Sequence, residues 1–165
     1  MYYGGLRVNE AATLRVENVD TNNRIFGVIG KGSKPRLVPY PSKLDRVINL
    51  WLQKERKSYA FSDSPFFFPS KRREHISPRT ISNMIHNYAE SCGIQKVVGK
   101  KANGSKIYKV HGHILRHSYA SDAVDDGIPI TLIQKMMGHS CITTTIGYMS
   151  ETKGFKSYYE KFSGI

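Results

Sequence analysis

His113-Ile114-Leu115-Arg116-His117-Ser118-Tyr119-Ala120 reads as the opening of a helix. His113 and Arg116, at i and i+3, share one face, while Leu115 and Tyr119, at i and i+4, share another that can point into a core. Imidazole and guanidinium on one face suit a phosphate. Arginine supplies a bidentate charged fork, and histidine supplies a donor that can also move a proton. The pair alone is weak evidence, because HxxR recurs by chance on solvated helices.

Two further short helices follow this one, so that three run over about 113–126, 130–137 and 142–149, and the tail predicts one more over 153–163. Upstream, residues 8–14 (VNEAATL) predict a short helix. Two β-prone runs follow, Arg24–Ile29 and Arg36–Tyr40, joined by Gly30-Lys31-Gly32-Ser33-Lys34-Pro35, a glycine-rich hairpin turn. Ser42 can cap a helix over about 43–56, with Leu44, Val47, Ile48, Trp51 and Leu52 at helical spacing. Ser62–Ser70 holds two prolines and Phe66–Phe68, which predicts a loop with a short buried strand. Ser77-Pro78 starts a helix that runs to about Ser91 and stops at Gly93. Residues 97–110 predict a second hairpin, with Asn103-Gly104 as a two-residue turn. The pattern is α+β, mostly helical with small antiparallel hairpins, rather than alternating βαβ units.

At 165 residues the chain has room for one domain with a real core. No apolar run is long enough to span a bilayer. Met1-Tyr2-Tyr3-Gly4-Gly5 has neither the basic start nor the apolar stretch of a signal peptide. The two cysteines, Cys92 and Cys141, fit free thiols in a reducing compartment better than a disulfide framework. Lys and Arg number 25 against 13 acids, a net charge of +12. Such an excess points to a polyanionic partner, and nucleic acid fits better than a membrane because no segment combines strong amphipathicity with a one-sided basic face.

Other candidate groups lie along the chain. Arg7 stands at the entrance to the first helix, with Glu10 one turn on to hold it. Lys31 sits in the glycine-rich turn. His139 follows Gly138 at the end of an apolar helix, and Tyr148 comes nine residues later, one of ten tyrosines. His111, His113 and His117 cluster, but no cysteine pair or carboxylate completes a zinc spacing, so no metal is expected. A metal-dependent nuclease fits poorly, since no carboxylate cluster is available to hold Mg²⁺. Each residue taken singly has an ordinary structural reading as an ion pair, a loop lysine or a packing histidine.

In combination these segments resemble the tyrosine recombinase (phage integrase) family, in its catalytic domain. The resemblance rests on four boxes in order: Gly4-Gly5-Leu6-Arg7-Val8-Asn9-Glu10 through Leu14; Gly30-Lys31-Gly32-Ser33-Lys34-Pro35-Arg36-Leu37-Val38-Pro39; His113 through Ala120; and Gly138-His139-Ser140 through Thr143-Thr144-Thr145 to Tyr148. The resemblance implies a mostly helical DNA breaking-rejoining fold over residues 1–165. It also implies that the N-terminal core-binding domain and the first helices of the catalytic domain are not included.

The implied activity is site-specific recombination or integration of DNA through a 3′-phosphotyrosine, with no metal, ATP or other cofactor. Arg7 and Arg116 would grip the scissile phosphate, Tyr148 would attack it and Lys31 would protonate the leaving 5′-oxygen. His113 would assist proton transfer, His139 would donate to a phosphate oxygen, and Glu10 and His117 would support them from behind. Lys34, Arg36, Lys71, Arg72, Arg73, Arg79, Lys100, Lys101 and Lys106 are the candidate DNA-backbone contacts. The implied partners are double-stranded DNA and further copies of the chain, as a dimer or tetramer synapse on DNA, with a monomer open to it when DNA-free, and no membrane. The implied setting is cytoplasmic and associated with the nucleoid, or inside the host cell if the protein is viral. A type IB topoisomerase and an inactive DNA-binding module are the alternative readings. The aromatic stripe Phe155, Tyr158, Tyr159, Phe162 could pack on a neighbouring copy or on its own core. The lysine-rich hairpin at 97–110 is longer than the link usual before the HxxR box.

Overall fold

A computed structural model describes residues 1–30, 32 and 34–138. Lys31, Ser33 and residues 139–165 lie outside the described residues, and with them the helices expected over 142–149 and 153–163.

The chain enters through a short helix, α1 (Val8–Ala12). A three-stranded antiparallel sheet follows, in the order β1 (Val19–Asp20), β2 (Ile25–Ile29), β3 (Pro35–Pro39). The β2–β3 hairpin is in register from Ile25↔Pro39 to Ile29↔Pro35, and Gly30 N–H donates to the Lys34 carbonyl at 2.9 Å to close the turn. Strand β1 is two residues long, too short to show an alternating pattern. The runs predicted at 24–29 and 36–40 are both present, the first starting one residue later and the second displaced by one residue.

Helix α2 (Asp45–Gln53) is shorter than the predicted 43–56. Ser42 does not cap it. Residues Ser42–Leu44 form a turn of 3-10 helix, which satisfies the early backbone groups locally, and α2 begins beyond it. Ser77 does act as a cap, because its hydroxyl accepts from Thr80 N–H at 3.0 Å, and Pro78 stands first in α3 (Pro78–Ser91). Gly93 follows at φ +68°, a left-handed conformation that a side chain would resist. The strand expected within 62–70 is reduced to a single bridge, Arg15↔Phe66, beside a Phe67 N–H bond to the Leu14 carbonyl.

The second hairpin pairs β4 (Val97–Lys100) with β5 (Lys106–Tyr108). Its connection is five residues long rather than two. Lys101 N–H donates to Ser105 O, Gly104 N–H donates to Lys101 O, and the Asn103 side chain accepts from Ser105 N–H. Helices α4 (Gly112–Asp125) and α5 (Ile130–Met137) complete the described chain.

Two apolar clusters hold these elements. The larger takes Leu6, Ala11, Leu14, Phe26, Val28, Val38, Tyr40, Ile48 and Phe67 from α1, the sheet, α2 and the Phe loop. The smaller takes Ala120, Ala123, Ile133 and Met137 from α4 and α5. Val38 and Ile133 are fully buried, and each such side chain contributes roughly 1.5–3 kcal/mol of transfer free energy. Between the clusters lies a seam of charge, and the candidate site is built on it.

Candidate active site

Glu10 is the centre of the seam. It lies in the first turn of α1 and is only 5 % exposed. Its carboxylate accepts from Arg7 Nη1 at 2.9 Å and reaches back to the Arg7 backbone N–H at 2.7 Å. Arg36, from β3, donates to both oxygens, Nη1 to Oε1 at 2.8 Å and Nη2 to Oε2 at 2.7 Å. Arg116, from α4, stands 3.8 Å away and is 2 % exposed. Burial alone would raise the Glu10 pKa. The Arg36 and Arg7 hydrogen bonds outweigh it and bring the group down to about 2. Glu10 is therefore a carboxylate at every ordinary pH.

The same three arginines meet the end of α5. Arg36 Nε donates to the Met136 carbonyl at 2.7 Å, Arg116 Nη2 donates to Met137 O, and Arg7 Nη2 donates to Gly138 O at 3.2 Å. Three successive carbonyls at a helix C-terminus lack intrahelical partners and carry the negative end of the helix dipole. Each takes one guanidinium here. Gly138 closes the helix in the left-handed conformation at φ 62°, and a Cβ there would lie 3.1 Å from the Arg36 side chain. Arg116 also donates to the Gly5 carbonyl, which ties the chain before α1 to α4. A Cβ on Gly5, at φ +54°, would lie 2.6 Å from the Tyr119 ring, so glycine alone permits that approach.

His113 occupies the same end of α4. Its ring is exposed and lies nearly parallel to that of His111, with centroids 6.4 Å apart. Its pKa is lowered, first by desolvation and then by the charges of His111, Arg116, His117 and Arg7 around it. The shift favours the neutral ring, the form that can accept a proton. His117, one turn further along α4, is half-buried beside this group.

The structure thus brings together Arg7, Glu10, His113, Arg116 and His117 from segments more than 100 residues apart. Gly138, the last described residue, delivers the chain to His139. Lys31, His139 and Tyr148 fall outside the described residues. Of the candidate DNA contacts, Lys34, Lys71, Arg72, Arg73, Arg79, Lys100, Lys101 and Lys106 are exposed. Arg36 is not. Its side chain is 10 % exposed and its donors go to Glu10 and Met136, so it builds the seam instead of offering a surface charge. Strand parity carries the signal for this. Arg36, Val38 and Tyr40 alternate onto one face, and Val38 and Tyr40 are buried.

Among the described residues no helix is long and apolar enough to cross a membrane.

Comparison with known proteins places the fold. Residues 1–154 match the Phage integrase family. The tyrosine recombinase XerA of Pyrococcus furiosus is 33 % identical over 156 residues, covering 92 % of this chain and 48 % of that protein. The tyrosine recombinase XerC of Mycobacterium sp. (strain KMS) is 31 % identical over 153 residues, covering 92 % of this chain and 47 % of its own length. A crystal structure of XerA recombinase superposes with a TM-score of 0.78 at 28 % identity, over 98 % of this chain and 54 % of the other. XerH site-specific recombinase, bound to its palindromic difH substrate after cleavage, has a TM-score of 0.76 at 22 % identity over 99 % of this chain and 42 % of the other, a likeness of fold. The chain spans about half the length of the curated relatives it matches. The α+β architecture is that of the tyrosine recombinase catalytic domain, and the chain belongs to the phage integrase family.

Proposed function

We propose that this chain cleaves and rejoins DNA strands in site-specific recombination or integration, through a 3′-phosphotyrosine formed by Tyr148. The observation that carries the reading is the seam. Arg7 and Arg116 converge with a neutral His113 at the point where the chain passes Gly138 toward His139 and Tyr148.

The chemistry follows from the groups. A phenol titrates near pH 10, so it needs a base or positive surroundings to attack at neutral pH. Tyr148 Oη attacks phosphorus, its proton passes to His113, and the bond from phosphorus to the 5′-oxygen breaks. Lys31 gives that oxygen its proton and leaves a free 5′-hydroxyl. Arg7 and Arg116 stabilise the charge gathering on the non-bridging oxygens, with His139 donating beside them. The phosphotyrosine conserves the energy of the broken bond, so reversal of the same steps rejoins the strand without ATP or a metal. The substrate is double-stranded DNA inside the cell, and self-association on DNA brings two or more sites together.

The test is covalent trapping. A pool of nicked suicide duplexes of randomised sequence, incubated with the protein in EDTA, yields an SDS-stable protein–DNA adduct, and Tyr148→Phe yields none while still binding. Loss of the adduct in EDTA would overturn the metal-free mechanism. An adduct that persists in Tyr148→Phe would overturn the nucleophile.

A further inference from the structure

The β4–β5 hairpin carries Lys96, Lys100, Lys101, Lys106 and Lys109, all exposed. No acid occurs between Glu90 and Asp122. Among the described residues none of the five lysines enters an ion pair, whereas Arg7, Arg36 and Arg116 each stand within ion-pair distance of Glu10. Five like charges on one small ribbon repel each other and gain nothing within the fold. The other exposed basic loop, Lys71-Arg72-Arg73, is followed directly by Glu74.

The ribbon is free at its tip and fixed at its base. Nothing lies within 4 Å of a Cβ placed on Gly104. At the base Gln95 holds both backbone groups of Val110: its Nε2 donates to Val110 O at 2.9 Å, and its Oε1 accepts from Val110 N–H at 2.9 Å. Lys109 N–H adds a bond to Lys96 O at 2.8 Å, and the Tyr108 ring packs edge-on to His86 of α3 with centroids 4.3 Å apart. Val110 is three residues before His113. The hairpin is thus a stiff arm rooted at the first turn of the helix that carries His113 and Arg116.

We infer that the β4–β5 hairpin is a clamp on the DNA phosphate backbone, reaching away from the scissile phosphate and fixing α4 against the duplex. Its reach follows from strand geometry. Six residues from base to tip at about 3.3 Å each span about 20 Å, the rise of about six base pairs at about 3.4 Å each along the helix axis. Lys100, Lys101 and Lys106 lie near the tip, where a lysine ammonium meets phosphate as a point charge without reading sequence. This inference rests on the proposed DNA reading above.

The test is the salt dependence of binding. Association with a 30-base-pair duplex of arbitrary sequence is followed by fluorescence anisotropy across KCl concentrations. Each lost phosphate contact lowers the slope of log K against log [salt] by about 0.9. The Lys100→Gln/Lys101→Gln/Lys106→Gln triple variant therefore loses about 2–3 from the slope, and the matching Lys→Arg triple keeps it. A control, Lys54→Gln/Lys57→Gln, which removes charge away from the hairpin, leaves the slope unchanged. Circular dichroism verifies that each variant is folded. A slope unaltered in the glutamine triple, in a protein that itself binds, overturns the clamp and leaves the proposed function standing. An equal loss per charge in the control also overturns it, since the effect is then net charge. A wild-type protein with no affinity for the duplex overturns the functional reading, and the clamp falls with it.

Discussion

Arg36 places three guanidinium nitrogens on two partners, Glu10 and the Met136 carbonyl. A lysine has one ammonium and cannot copy that fork. Arg36→Lys is expected to cost about 2–3 kcal/mol in urea unfolding, because it leaves a buried carboxylate and a helix-end carbonyl short of donors. It should also slow adduct formation at least tenfold, since Glu10 then holds Arg7 less firmly, while the salt slope of DNA binding stays as in wild type. Arg36 as a direct DNA contact would give a different result: Arg36→Gln would then lower that slope by about 0.9. The residue type and the family-like box drew attention to Arg36 in the sequence, but its charge suggested a surface role. Only its parity with Val38 and Tyr40 pointed inward, and charge normally outweighs parity in such a reading.

His113 makes a pH prediction at the same scale. Its imidazole pKa is lowered from 6.5 by desolvation and neighbouring cations, so the neutral, proton-accepting form is the major one at pH 6.5. Adduct formation should therefore fall on the acid side with a midpoint below 6.5. His113→Gln should lower the plateau and abolish that acid limb. A midpoint above 6.5 in the wild type would assign the limb to another group.

Elements were readable from sequence to the extent that local chemistry settles them. Helix α3 shows its start because Ser77 and Pro78 supply both a cap and a preset φ. Helix α2 does not, because a 3-10 turn over Ser42–Leu44 takes the place of the cap that Ser42 promised. The five-residue loop of the second hairpin was hidden behind Asn103-Gly104, which favours a two-residue turn in isolation. Helix-to-helix spacing has no local signal at all. Gly112, in the first turn of α4, shows this: a Cβ there would lie 2.4 Å from the Val8 side chain and 2.9 Å from Met1 Cε. Gly112→Ala should push α1 from α4, costing about 1–3 kcal/mol by overpacking. Glu10 and Arg7 ride on α1 and Arg116 on α4, so the same variant should lose adduct formation more than it loses DNA binding. Equal loss of both would show that the fold, not the spacing, was damaged.

At the scale of the whole molecule, two apolar clusters are joined across charge. Each was visible in part as helical or alternating pattern, but their junction was not, because it is made by residues 7, 10, 36 and 116 and three carbonyls that no periodicity connects. The junction is also where the candidate chemistry sits, so stability and activity depend on the same carboxylate. Glu10 titrates at about 2 in the folded protein against 4.5 when free. A depressed folded pKa means that the stabilisation is fully present above 4.5 and drains away as pH falls from there through about 2. Removing one partner of a buried ion pair costs about 3–5 kcal/mol, so urea unfolding should separate wild type from Glu10→Gln by roughly 3 kcal/mol at neutral pH. The gap should narrow between pH 4.5 and 2, where the wild-type carboxyl takes up its proton. Hydrogen exchange should show where the loss falls: α4 and α5 amides should speed up in Glu10→Gln more than those of β2 and β3, because the larger cluster keeps its own apolar contacts. A gap independent of pH, or exchange that rises evenly across both clusters, would mean that the seam is not what binds one half of the molecule to the other.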